Sequence, residues 1–288
     1  MNPISAKLKI YTYSSIVLAL TCAALRACCL FFAYDADLRY FSYSSSLPAI
    51  ANGVLLCSLL WAASFLLLVP KNSMSTKPAA YSVSSVFASA LCGFFFLYQS
   101  LSTAFPLLMK SFVPFSVATY RRDLTVAAII AGSALISAVY FFTALFPALK
   151  EAPFRILCGF CPVIWAIVSL AQIYFDFTHT MNEPVKVSLQ LAMISVAFFF
   201  LQEIRTLLGR PQPRAAWFAA IAALLFSGIS GVAGIAAYMA QTAALKDYID
   251  LFAVTASIFL YVLLRLFDLI SNQPLSLEVA SEEGETQA

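Results

Sequence analysis

Polar side chains are scarce in this chain, and those embedded in its long apolar runs mark where chemistry could occur. Arg26 interrupts the first apolar run about two turns before its end. Gln99, Gln172 and Asp176 fall at a comparable depth on later runs, and the gap after Asp176 carries His179, the only histidine. A charge near the middle of a bilayer costs about 2.5–3.5 kcal/mol on insertion scales. Such residues must therefore face protein or water. Arg26, Gln99, Gln172, Asp176 and His179 together suit a polar cavity with one buried cation, a binding site for a small molecule. The plainer alternative has Arg26 reaching to the headgroups on its long side chain and His179 serving as an ordinary loop residue.

A second group is ionic. One run closes with Gln202-Glu203-Ile-Arg205-Thr206, and the last run carries Arg265 and Asp268. Residues three apart share a helix face, so Arg265 and Asp268 point together at a neighbour. Pairing of Glu203 with Arg265, or of Arg205 with Asp268, would tie two helices as an ionic latch. The functional alternative is a proton relay. Ser188, Ser195 and Gln202 recur every seven residues and predict a polar stripe that joins helices. Gly228, Gly231 and Gly234 predict close helix approach.

No metal or cofactor is expected. The spacing of His, Cys, Asp and Glu suggests no metal site. All seven cysteines lie in apolar runs and read as small buried hydrophobes; Cys158 and Cys161 lack the soluble context of a redox or zinc motif. No phosphate-binding glycine loop, zinc-protease signature or nucleophile elbow occurs.

The elements that must position these residues are membrane spans. The chain has 288 residues, 62% hydrophobic and 11% charged, where a soluble domain is about a quarter charged. About 20 apolar residues cross the hydrocarbon as a helix. Eight runs qualify, at about 8–33, 47–69, 80–103, 124–147, 154–175, 185–207, 215–240 and 247–270. The fold class is all-α, a polytopic transmembrane helical bundle over 1–270. Alternating ten-residue strands are absent from the sequence, which argues against a β-barrel. The first run is too long for a signal peptide and reads as an uncleaved span. The stretch 104–123, with two prolines and Lys110, is expected to lie along the interface or re-enter. Residues 271–288 read as a disordered acidic tail.

Lys and Arg divide ten against six between the two sides, with Arg26 inside a span. That favours both termini inside a cytoplasmic membrane. Basic residues stand singly at span ends, so nucleic acid is not an expected partner; the lipid bilayer is. A faint internal echo divides the bundle into halves at 1–147 and 148–270. Lys77-Pro-Ala-Ala-Tyr81 resembles Pro213-Arg-Ala-Ala-Trp217, and Arg122-Asp123 resembles Lys246-Asp247. Two parallel four-helix repeats would be a transporter-like arrangement.

Three functions follow in order. The first is a small-molecule permease, or the membrane subunit of a transporter with a partner subunit. The second is a non-catalytic ligand-sensing protein using the same cavity. The third is a membrane-embedded enzyme, ranked last because no catalytic constellation is visible. A cavity open to one side would favour sensing, and a path to both faces would favour transport.

Overall fold

In lipid the backbone must satisfy its own hydrogen bonds, and a helix does so within one segment. Every described span adopts that solution. The structure is a computed structural model that describes residues 3–35, 38–68, 81–110, 118–146, 153–176, 180, 182–240 and 245–271. Its helices are α1 (Pro3–Phe32), α2 (Leu47–Leu68), α3 (Val83–Lys110), α4 (Ala118–Phe142), α5 (Pro153–Tyr174), α6 (Pro184–Leu207), α7 (Pro213–Ser227), α8 (Ala233–Ala240) and α9 (Ile249–Ser271). Among the described residues, eight spans are long and apolar enough to cross a membrane, with α7 and α8 sharing the seventh. The protein is a multi-pass, all-helical membrane protein. An even number of spans brings the described ends, Pro3 and Ser271, to one end of the bundle, the termini end; the opposite is the far end.

Spans α3, α4, α5, α6 and the seventh pack in sequence, and α9 closes back on both the seventh span and α3. These six form a ring. Helix α1 packs outside the ring on the seventh span, and α2 packs on α1 and α7. The seventh span is therefore the most enclosed of the eight and α2 the most lipid-facing. The connection between α1 and α2 is a short antiparallel hairpin, β1 (Tyr34–Asp35) and β2 (Tyr40–Phe41), with Tyr34 opposite Phe41.

Two spans differ from the sequence reading. Helix α3 does not stop near 103 but continues through Pro106 to Lys110. A proline near a helix end removes a single ladder bond, which spans tolerate where neighbours satisfy the freed carbonyl. The expected re-entrant stretch thus begins as helix; 111–117 lie outside the described residues, as does the tail after 271. The seventh span is not one regular helix. Between α7 and α8 it forms a π-helical turn over Gly228–Val232. Ser227 and Ser230 donate their hydroxyls to the carbonyls of Ala223 and Phe226, four residues back. Such back-bonding bends helices. Gly231 fixes the approach of α9: an added Cβ would stand 2.3 Å from the backbone nitrogen of Ala256.

The core of the ring is aromatic. Phe96 of α3 meets Trp165 of α5 edge-on at 4.8 Å and stacks on Phe141 of α4 at 5.4 Å. Phe141 meets Phe200 of α6 and Tyr261 of α9 at 5.6 and 5.2 Å. These large, rigid side chains fill the ring from its middle toward the termini end, and edge-to-face pairs add to simple burial.

Candidate ligand cleft and ionic cluster

The ionic cluster occupies the termini end of the ring. Helix α6 delivers Glu203, whose Oε1 accepts hydrogen bonds from the Tyr261 hydroxyl at 2.7 Å and the Tyr81 hydroxyl at 3.4 Å. Its Oε2 accepts from Tyr140 at 3.1 Å. Arg265 lies with Nε 3.5 Å from Glu203 and donates from Nη1 to Asp268 at 3.1 Å. Asp268 also accepts from the Ser82 backbone N–H at 3.4 Å. The Arg265 guanidinium covers the Tyr81 ring at 3.9 Å. Arg155 lies 4.8 Å from the same ring and donates to the Tyr81 hydroxyl. Arg265 thus meets both carboxylates, Arg155 reaches the cluster through Tyr81, and three phenols bond to Glu203.

Of the residues named from sequence, Glu203, Arg265 and Asp268 come together here. Arg205 does not. It is two positions from Glu203, a spacing that turns a side chain to another face, and it forms no ion pair among the described residues. Tyr81, Tyr140, Tyr261 and Arg155 are additions. Arg155 read in sequence as an interfacial charge at a span end, yet it is only 2% exposed.

The far end is built differently. Arg26 donates from Nη2 to the Pro184 carbonyl at 2.7 Å and stacks 4.8 Å above the Phe41 ring. It therefore joins α1 to the hairpin and to the start of α6. Beside it, Glu183 is wholly buried and accepts from the Tyr34 hydroxyl at 3.1 Å. Burial, then the adjoining Glu183 carboxylate, pushes the Tyr34 phenol above the ordinary tyrosine range. Lys186 is also fully buried and donates to the Asp176 carbonyl at 2.5 Å. Arg39 reaches Asp247 at 3.7 Å and ties the hairpin to the approach of α9.

A cleft, about 430 Å³ counting the open space at its mouth, lies beside Arg26, between α2 and α6, with α1 and the π-helical turn behind it. Arg26, Asn52 and Ser188 supply its polar wall; Leu55, Leu191 and Ile229 supply its apolar wall. Toward the termini end the cleft is closed. Cys22 contacts Ser58 at 3.4 Å, and Trp61 donates to Ser14 at 3.0 Å. Below them Tyr11 stacks on Trp61 at 4.7 Å, and Phe65 stacks on Trp217 at 5.7 Å.

The other residues expected in one cavity are dispersed. Gln172 is exposed on the bundle surface. Asp176 takes part through its carbonyl with Lys186. Gln99 is buried at 4% exposure on α3, in the ring rather than beside Arg26, and its Oε1 has no hydrogen-bond partner among the described residues. Trp165 Nε1 and Ser169 Oγ of α5, and Gln202 Oε1 of α6, share that condition. His179 lies outside the described residues. The expected polar stripe on α6 also acts otherwise: Ser188 and Ser195 donate to carbonyls of their own helix, Val185 and Ala192. Among the described residues no group of His, Cys, Asp and Glu could hold a metal ion.

No protein-family profile, curated protein or solved structure matches the chain.

Proposed function

We propose that this membrane protein is a non-catalytic ligand-binding protein of the sensing type, which takes a small molecule into the cleft at Arg26. One observation carries this reading. The cleft is open in the far half of the bundle, while the helices that wall it close together toward the termini end through Cys22–Ser58, Trp61–Ser14 and the aromatic stacks. With the termini inside, as the Lys and Arg count favours, the cleft faces the outer leaflet. The ionic cluster supports the same reading. Glu203 and its phenols are bonded to one another rather than to open space, which suits a latch better than a catalytic site.

A permease is the second reading, and two observations favour it. The π-helical turn places a deformable element beside the cleft, and such turns often occur at functional sites. The partnerless polar atoms of Gln99, Trp165, Ser169 and Gln202 supply hydrogen-bonding positions within the ring. Purified protein screened for thermal stabilisation by a panel of small anions, neutral solutes and amphiphiles, followed by uptake of each hit into proteoliposomes, separates the two. Stabilisation without uptake supports sensing. Uptake that is lost in Arg26→Ala supports transport. A panel without a single stabilising compound counts against both.

A further inference from the structure

We propose that the cleft takes an anionic, single-chain amphiphile that enters sideways from the far-end leaflet. This rests on the ligand-binding reading above and names its ligand class. The first argument is charge. Arg26 lies six residues before the end of α1 at Phe32, about 9 Å along the helix at 1.5 Å per residue. Among the described residues it has a backbone carbonyl and an aromatic face as partners, and no carboxylate. A charge removed from water needs a counter-ion. Glu183, the nearby carboxylate, accepts from Tyr34 and does not line the cleft. The cleft wall contributes one cation and no anion, so the counter-ion is assigned to the ligand's head, where the guanidinium and the Asn52 amide can both donate.

The second argument is shape. Beyond this polar corner the wall is Leu55, Leu191 and Ile229, a surface for an acyl or alkyl tail. Helices α2 and α6 wall the cleft without packing along each other, which leaves a lateral opening toward lipid. The third argument is the extent of the apolar lining. Leu55, Val187, Leu191 and Ile229 offer one short strip of wall, which matches a single chain rather than the paired chains of a phospholipid.

The test uses the full chain in phosphatidylcholine nanodiscs with radiolabelled decanoate as the probe, and decanol and decylamine as neutral and cationic competitors. One saturable decanoate site is expected, with decanol and decylamine at least tenfold weaker. Arg26→Gln should weaken decanoate at least tenfold. Leu55→Trp, which fills the cleft while leaving Arg26 in place, should abolish binding; a melting temperature equal to wild type shows that it folds. Decanol binding as tightly as decanoate overturns the anionic head. Wild-type affinity in both variants overturns the location. Displacement of decanoate by phosphatidylglycerol in the bilayer, dependent on Arg26, overturns the single chain in favour of a membrane lipid. An absence of decanoate binding while a small hydrophilic anion stabilises the protein through Arg26 overturns this inference and leaves the ligand-binding reading intact.

Discussion

The two ends of the bundle use charge in opposite ways. At the termini end, Arg155 and Arg265 face Glu203 and Asp268, and tyrosines from three places in the chain complete the shell. Each of these side chains bonds within the protein. At the far end, Arg26 has a carbonyl and a ring for company and an open cleft beside it. The closed cluster joins the approach to α3 with α4, α5, α6 and α9, five of the six walls of the ring. The open cation sits between α1, α2 and α6, and α2 is the least enclosed span. At one end the charges bond among themselves inside the scaffold; at the other, Arg26 borders an open cleft.

Removing Glu203 tests the closed end and should have the largest effect. Glu203→Ala leaves Arg265 without one of its two carboxylates and three phenols without their common acceptor. Breaking a buried pair from one side costs about 3–5 kcal/mol. At ~2–4 °C per kcal/mol, the melting temperature in detergent should fall by roughly 6–20 °C. Glu203→Gln keeps an acceptor for the phenols and should fall between the two. Wild-type melting of Glu203→Ala would show that the cluster is not a latch. A full-stability Glu203→Gln that loses ligand response would instead favour a relay.

The seventh span lies between the two ends, and Gly231 sets how closely it meets α9. A methyl group there would strike backbone, the Ala256 nitrogen at 2.3 Å and the Thr255 carbonyl carbon at 2.7 Å. Backbone cannot rotate away as a side chain can. Gly231→Ala should therefore separate the helices at an overpacking cost of about 1–3 kcal/mol, smaller than the loss at Glu203. At Gly234 the obstacle is the Phe252 ring, at 2.6 Å, which can turn aside. Gly234→Ala should be milder. Equal melting of both variants and wild type would show that this contact yields freely, which would strengthen the permease reading.

The spans were legible because lipid imposes one requirement, a long apolar helix, and composition reports it directly. Glu203, Arg265 and Asp268 were legible because charges in such runs are too costly to lie idle. Their tyrosine shell was not. Tyr81 and Tyr140 sit near span ends, where tyrosine is common at any membrane interface, and nothing in their own sequence distinguishes a carboxylate ligand from an interfacial anchor. The expected far-end cavity joined residues of similar depth, but depth fixes only one coordinate. Gln99 and Gln172, expected at the depth of Arg26, have different azimuths: one turns into the ring, the other outward. Azimuth depends on which helices are neighbours, and the ring, with α1 and α2 packed outside it, arises from contacts between spans distant in sequence.

The smallest expected effect concerns what holds the hairpin over the far end. Tyr34 donates to Glu183 at 3.1 Å, and burial with that neighbouring charge favours its protonated form. An unfolded tyrosine ionises near pH 10. Below that pH both states keep the proton, and the contribution of Tyr34 is fully present. Above it the unfolded chain releases a proton that the folded chain retains, so stability falls as pH rises. Tyr34→Phe cannot ionise. It should melt slightly lower than wild type at pH 7, by the ~0.6 kcal/mol typical of one polar contact between spans, and lose less on going from pH 9 to pH 11. The chain has 13 tyrosines, so the difference between the two pH profiles, rather than either profile alone, isolates this phenol. Parallel profiles would mean that Tyr34 is not held protonated by Glu183. Glu183 would then be open to pairing with Arg26, and the contrast between a closed and an open end would lose its physical basis.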